Sequence, residues 1–262
     1  MKWAGGKNQI IDRIKQSLPQ GARLIEPFVG AGSVFLNTQY TNYLLADINI
    51  DLINCFHYLQ NEKKDFIDYC RTFFTENHNI KTAYLDLRIK FNTTLDTRLK
   101  AALFIYLNRH CFNGLMRYNQ DGLFNTSFGE YQKPYFPENE MLLFMDKAQS
   151  ARIICADYTK VMESAEIGDV IYCDPPYIPL TVTASFTKYH STSFGRADHE
   201  YLVFMARECA KKGIPVIISN HDTDFVQSLY LGADIISFDV QRSISCKGKL
   251  RSRAPELLAL FD

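Results

Sequence analysis

The sequence predicts an α/β protein: an open sheet layered with helices, into which a second, mostly helical lobe is inserted. Two observations carry this. Short runs rich in β-branched and large apolar residues recur along the chain, several of them continuous, as strands covered on both faces require. Helical patterns separate these runs, and alternation of that kind implies an α/β open sheet. A third observation places the insertion. Between Gln60 and Gln149 the alternation breaks, and nearly ninety residues pass without a strong strand signal.

Taken in order, strands are expected at Leu24–Val29, Tyr43–Ala46, Arg152–Ala156, Asp169–Cys173, Pro215–Ser219, Asp234–Phe238 and Glu256–Phe261. Helices lie between them, for instance at Asn49–Gln60 and Arg196–Lys212. Inside the interruption, helices are expected at Lys63–Phe74, Lys81–Phe91 and Thr97–Leu107. A stretch rich in Gly, Asn, Tyr, Phe and Pro follows, from Asn108 to Pro137. The chain therefore divides into a sheet domain, residues 1–60 and 150–262, and a helical lobe, residues 61–149, that includes a hairpin or loop region at 108–137. Ile178–Arg196 is rich in Ser and Thr and reads as a long polar loop, expected to act as a lid.

Composition narrows the classes. With 262 residues, 47% hydrophobic and 22% charged, the chain has the make-up of a globular protein with a sizeable core. No apolar run reaches the roughly 18 residues of a membrane span, and the N-terminus lacks a signal-peptide pattern, so a cytoplasmic protein is expected. The seven cysteines are scattered, odd in number and form no C-x-x-C pair. That argues for reduced thiols, against a disulfide framework and against zinc. The six histidines are scattered too, so no metal site is expected. Net charge is zero, yet Arg242, Lys247, Lys249, Arg251 and Arg253 form a run without an acid. It reads either as a solvated loop or as a contact for phosphates.

Three motifs carry chemistry. Glu26-Pro27-Phe28-Val29-Gly30-Ala31-Gly32-Ser33 closes the first strand, and its glycines let the backbone turn and approach a ligand before a helix begins at Ser33. A dinucleotide fingerprint needs a third glycine at position 35, where Phe35 stands, so the NAD and FAD readings lose support. Asp47 ends the second strand; its carboxylate suits the paired hydroxyls of a ribose, or else caps the next helix. Asp174-Pro175-Pro176-Tyr177 directly follows an apolar strand. There a carboxylate and a proline carbonyl can accept hydrogen bonds from an exocyclic amine, while the Tyr ring stacks on the base that carries it. Two acceptors favour a pyramidal nitrogen whose lone pair can attack, so catalysis reduces to positioning and electrostatics. Lys2-Trp3-Ala4-Gly5-Gly6-Lys7 is a glycine turn between cations, without the spacing of a phosphate-cradling loop.

In this order the three motifs resemble the Dam family of adenine-N6 methyltransferases. The likeness extends to Asn108-Arg109, Asn113-Gly114-Leu115, Arg117-Tyr118-Asn119, Phe128-Gly129 and Lys133-Pro134-Tyr135-Phe136-Pro137, similar to the family's recognition lobe. It continues through Ile218-Ser219-Asn220-His221-Asp222-Thr223 and Arg242-Ser243-Ile244-Ser245, and so covers almost the whole chain. The resemblance implies a Rossmann-like seven-stranded methyltransferase sheet with an inserted DNA-recognition lobe, acting as a monomer on adenine in duplex GATC with S-adenosyl-L-methionine as donor. It implies cofactor contacts at Trp3, Lys7, Asp47 and Asp174, with Glu26, Phe28, Gly30 and Gly32 of the glycine motif, and Asp157-Tyr158 beside the cofactor's adenine. Asp174, Pro175, Pro176 and Tyr177 are the implied catalytic tetrad. For DNA it implies Lys2, Arg117 and Tyr131 near base edges, Phe112 and Asn113 at the place vacated by the flipped base, and Leu115 alongside. Arg88, Arg109, Asn119 and Asn125 are implied backbone contacts.

There are departures from the family pattern. Phe112 stands where a Tyr is expected, keeping the stacking face without the hydroxyl. Ser127 and Gln132 replace a Pro and a Lys. These touch affinity and flanking preference rather than the chemistry. Two rivals remain: an RNA or amide methyltransferase, against which Asp at 174 and the recognition-lobe motif speak, and a non-catalytic DNA-binding subunit, against which the intact tetrad speaks.

Overall fold

In the computed structural model, which describes residues 1–3, 5–177, 194–241 and 253–262, seven strands form one sheet. They are β1 Arg23–Glu26, β2 Asn42–Asp47, β3 Ala151–Cys155, β4 Asp169–Cys173, β5 Val216–His221, β6 Asp234–Gln241 and β7 Arg253–Phe261. The order is β3-β2-β1-β4-β5-β7-β6. β1 to β5 run parallel, and β7 lies antiparallel between β5 and β6. The order reverses between β1 and β4, so the crevice beyond their C-terminal ends is where a Rossmann-like sheet receives a ligand. At the opposite end, Arg23 clamps Asp169 through two hydrogen bonds, Nε to Oδ1 at 2.9 Å and Nη2 to Oδ2 at 2.5 Å, fixing β1 against β4.

Strand alternation sends consecutive residues to opposite faces, and both faces are buried. Leu24, Tyr43, Leu45, Val170, Tyr172, Ile217 and Leu258 pack under helices drawn from the first 150 residues. These are α1 Ile11–Ser17, α2 Ser33–Asn37, α3 Ile50–Asn61, α4 Lys64–Arg71, α5 Lys81–Thr93, α6 Thr97–His110 and α7 Glu138–Lys147. Ile25, Leu44, Ile171, Cys173, Val216 and Ile218 face α8 Tyr158–Glu163, α9 Arg196–Lys211 and α10 Asp224–Leu229. Double coverage is why the strands read as continuous apolar runs rather than as alternating ones.

All seven expected strands are present, β4 with the expected ends and the other six with shifted ones. β1 stops at Glu26 rather than Val29, because Pro27 and a left-handed Gly30 turn the chain out of the sheet. β6 and β7 extend beyond the apolar run because they pair with each other from Asp234↔Leu260 to Gln241↔Arg253. α4 ends at Arg71 rather than Phe74, where the amides of Phe73 and Phe74 fall back on carbonyls three residues earlier. α6 runs on to His110. The loop expected at Ile178–Arg196 loses its last residue to α9; residues 178–193 lie outside the described part, as do residues 242–252 of the basic run. No helix among the described residues is long and apolar enough to cross a membrane.

Candidate active site and nucleic-acid interface

The crevice at the switch point collects most of the residues singled out in the sequence. After β1 the chain turns through Pro27–Gly32 and opens α2 at Ser33. Gly30 has φ +48°, and a Cβ there would stand 2.8 Å from Trp3 Nε1. The indole of Trp3 therefore lies directly on the glycine loop, and no larger residue fits beneath it. The loop is braced from β2: the Gly30 amide donates to Asp47 Oδ2 at 3.1 Å, and the Asn49 amide donates to Oδ1 at 3.0 Å. The cap of α3 is Asn49, whose Oδ1 accepts from the amides of Asp51 and Leu52, so the capping alternative for Asp47 falls to its neighbour.

Lys7 begins a 3-10 turn and is only 5% exposed. Its ammonium lies 2.9 Å from Asp174 Oδ1, donates to the Tyr177 hydroxyl at 2.5 Å and sits 4.4 Å from the centre of that ring. Ser219 on β5 donates to the same carboxylate oxygen at 3.0 Å and accepts from Tyr172 at 3.1 Å. Burial pushes the Asp174 carboxyl above the usual carboxylate range, and Lys7 and Ser219 pull it back. Burial pulls Lys7 down, but Asp174, Tyr172 and Glu256 together outweigh it and the ammonium is held above its ordinary value. Tyr177 also donates to Glu256 Oε2 at 3.4 Å and meets the His221 ring edge-on, 4.5 Å between centres.

The tetrad's own backbone is held by a residue from α9. His199, fully buried, places Nε2 3.1 Å from the Pro176 carbonyl. A carbonyl can only accept, so Nε2 carries the proton. Burial pushes this imidazole down to about 4, which keeps it neutral. At the end of β1, Glu26 is 2% exposed, and its Oε1 is buried without a hydrogen-bond partner among the described residues. Burial, and then the neighbouring Asp174, push its carboxyl up to about 8, against the opposing pull of Lys147. Phe28 stacks on Tyr158 at 5.3 Å, and Phe194 meets Phe28 edge-on. Asp157 is exposed, and its Oδ1 caps α8 through the Thr159 amide and hydroxyl. Among the described residues no cluster of His, Cys, Asp or Glu is placed to hold a metal ion.

A second group gathers around α6 and the segment that follows it. The Lys2 amide donates to Asn108 Oδ1 at 2.9 Å, and Asn108 Nδ2 returns a bond to the Lys2 carbonyl at 2.7 Å, pinning the N-terminal segment to α6. A Cβ on Gly114, φ +68°, would stand 2.5 Å from the Lys2 Cβ. The Lys2 ammonium lies over the Tyr131 ring at 4.4 Å, and the Tyr131 hydroxyl accepts from the Asn113 amide at 2.9 Å. Phe112 beside them is 55% exposed, against the ordinary behaviour of a Phe. Arg117 Nε donates to Asn125 Oδ1 at 2.8 Å across a short hairpin. Asn119 closes that hairpin's turn, accepting from the amides of Asp121 and Leu123. Arg88 donates to the Thr126 carbonyl at 3.2 Å, and Arg109 donates to the Tyr135 carbonyl at 2.9 Å. Half-buried Leu115 offers its carbonyl to Thr126.

Several residues of evident importance had no role in the sequence reading: Ser219, His199, Asn108, and Asn92, which exchanges two hydrogen bonds with the Phe124 backbone. Only Asn108 and Ser219 sat inside a noted motif.

A mostly parallel seven-stranded sheet with a glycine loop at its switch point, and a carboxylate–proline–proline–tyrosine turn beside it, defines a Rossmann-like methyltransferase. The comparisons specify which. The family described as D12 class N6 adenine-specific DNA methyltransferase matches residues 3–244. A protein named DNA adenine methylase from Serratia marcescens is 48% identical over 262 residues, covering 100% of this chain and 97% of its own length. Its namesakes from Vibrio cholerae O395 and Escherichia coli K12 are 48% and 46% identical, each covering 100% of this chain and 95% and 94% of their own. The chain belongs to the D12 class N6 adenine-specific DNA methyltransferases. It is an enzyme that methylates adenine in DNA.

Proposed function

We propose that this enzyme transfers a methyl group from S-adenosyl-L-methionine to N6 of adenine in duplex GATC, with the target base flipped out of the helix. The observation that carries this reading is Asp174, set at the open end of β4 beside the glycine loop and paired with buried Lys7. The residues present fit the donor. Asp47, at the end of β2, suits ribose hydroxyls, the glycine loop carries the Trp3 indole beside them, and the buried Glu26 Oε1 is an acceptor for an ammonium. When bound, the donor supplies an electrophilic methyl on a sulfonium.

The chain's own residues do the rest. Reaching N6 requires the adenine to leave the stack. Tyr177 offers a ring face to it, and Asp174 accepts one amine hydrogen. His199 already holds the Pro176 carbonyl, and the Pro175 carbonyl is the second acceptor in this reading. Lys7 offsets the desolvation that otherwise neutralises the carboxylate and weakens it as an acceptor. On the lobe, Arg117 suits the O6 and N7 acceptors of guanine, Lys2 and Tyr131 lie at base edges, and Phe112 with Asn113 fills the vacated place. Arg88, Arg109, Asn119, Asn125 and Leu115 support the duplex around them. In this reading residues 61–149 recognise the target, residues 1–60 and 150–262 bind the donor, and the enzyme works as a monomer in the cytoplasm.

The test is expression in a host that lacks GATC methylation. Host DNA should become resistant to a nuclease that cuts only unmethylated GATC. Full sensitivity in cells that accumulate the folded protein contradicts the reading.

A further inference from the structure

The hairpin that carries Arg117 meets the first turn of α3 at a buried carboxylate. Tyr118 and Phe124 pair across it as an antiparallel bridge, and the Asn125 amide donates to the Arg117 carbonyl at 3.1 Å. In extended chain, neighbours point to opposite sides. Whatever fixes Tyr118 inward therefore fixes Arg117 and Asn119 outward. What fixes it is Asp51, on the first turn of α3 and 6% exposed: the Tyr118 hydroxyl donates to Oδ2 at 2.8 Å. The other oxygen takes the Lys100 ammonium of α6 at 3.1 Å. A buried carboxylate whose two oxygens each meet a donor from a different element is a rigid joint, because releasing either donor strands charge away from water. Burial, and then Asp51, push Tyr118 well above the ordinary phenol range, so it remains a donor at any working pH.

The joint continues toward the glycine loop. The Asp51 amide donates to Asn49 Oδ1, the Asn49 amide donates to Asp47 Oδ1, and Asp47 Oδ2 holds the Gly30 amide. We propose that Asp51 and Tyr118 are positioning residues for sequence specificity, holding Arg117 in the orientation that reads guanine and tying that hairpin to the strand end that carries Asp47. This rests on the assignment of Arg117 as a base reader.

The test measures kcat/KM on a GATC duplex and on duplexes with one guanine–cytosine pair replaced. The proteins are the wild type, Tyr118→Phe, Asp51→Asn, Arg117→Ala and the double variant Tyr118→Phe/Arg117→Ala, each with its melting temperature. Tyr118→Phe keeps the ring and its packing on Phe124. It should narrow the ratio between cognate and altered sites about tenfold, the order expected for losing one base-reading contact, while activity on altered sites changes little. The double variant should narrow it no further than Arg117→Ala alone. Were Tyr118→Phe to keep the wild-type ratio while Arg117→Ala narrows it, the positioning role would be wrong. Additive losses would overturn it as well, since Tyr118 would then act independently of Arg117. An unchanged ratio in Arg117→Ala would instead remove the base-reading assignment. Narrowing by Tyr118→Phe alone would then leave the joint in place, serving another reader.

Discussion

Lys7 and Asp174 form an ion pair at 2.9 Å, at the meeting point of the N-terminal segment and the end of β4, 167 residues apart in sequence. Lys7 is 5% exposed and Asp174 23%, so the pair is largely removed from water. Removing one partner leaves an uncompensated charge, the costly case, whereas removing both is far milder. Lys7→Met should lower unfolding free energy by about 3 kcal/mol and abolish methylation. Lys7→Met combined with Asp174→Leu should regain most of that stability and none of the activity. Urea unfolding of both variants checks this; equal destabilisation of the single and double variants contradicts it.

Glu26 gives the protein a pH dependence of defined sign. Its carboxyl moves from an ordinary 4.5 to about 8 on folding, chiefly through burial. Between these values the unfolded chain has released the proton and the folded one retains it, so stability falls as pH rises, by roughly 1.4 kcal/mol per unit. Below 4.5 that contribution is fully present. Glu26→Gln should therefore unfold with a flatter stability profile from pH 5 to 8 than the wild type. Parallel profiles would show that Glu26 is ionised in the folded state.

Trp3 is the single tryptophan, so the protein's tryptophan fluorescence comes from the residue that lies on the glycine loop and meets Phe104. A Cβ at position 30 would stand 2.8 Å from its Nε1, and the backbone there is left-handed. Gly30→Ala should displace the indole, change the emission of the free protein and weaken binding of S-adenosylhomocysteine, read by calorimetry. Unchanged emission with normal affinity would mean that the loop tolerates a side chain.

Tyr177 presents both a ring and a hydroxyl, and the two can be separated. Tyr177→Phe keeps the face that stacks and loses bonds to Lys7 and Glu256. Tyr177→Ala loses stacking worth about 1–3 kcal/mol as well. Single-turnover rates should fall far more for Ala than for Phe. Equal losses would transfer the role from the ring to the hydroxyl.

What the sequence made legible was local. Apolar runs announced all seven strands, and Asp174–Tyr177 stood out because four chemically pointed residues follow one of those runs. The helices α1, α7, α8 and α10 went unplaced, and they are short, six to ten residues each. α7 buries only Met141 and Phe144, which is too little periodicity to separate it from the preceding proline-rich stretch. The residues that hold Asp174, Lys2 and Tyr118 by hydrogen bonds were invisible for another reason. Ser219 meets Asp174 across 45 residues, and Asn108 meets Lys2 across 106, so no spacing announces either contact. Asp51 reads as an ordinary first-turn acid, and only the fold shows that Tyr118 and Lys100 converge on it.

The measurement that bears most directly on the central claim is transfer of labelled methyl from S-adenosyl-L-methionine to GATC duplexes, single-pair variants of that site and RNA of the same sequence, followed by nucleoside analysis. Label should appear as N6-methyladenine in GATC, fall steeply on each variant and vanish with Asp174→Ala. Label on cytosine, label only on RNA, or equal label at every duplex would contradict the account.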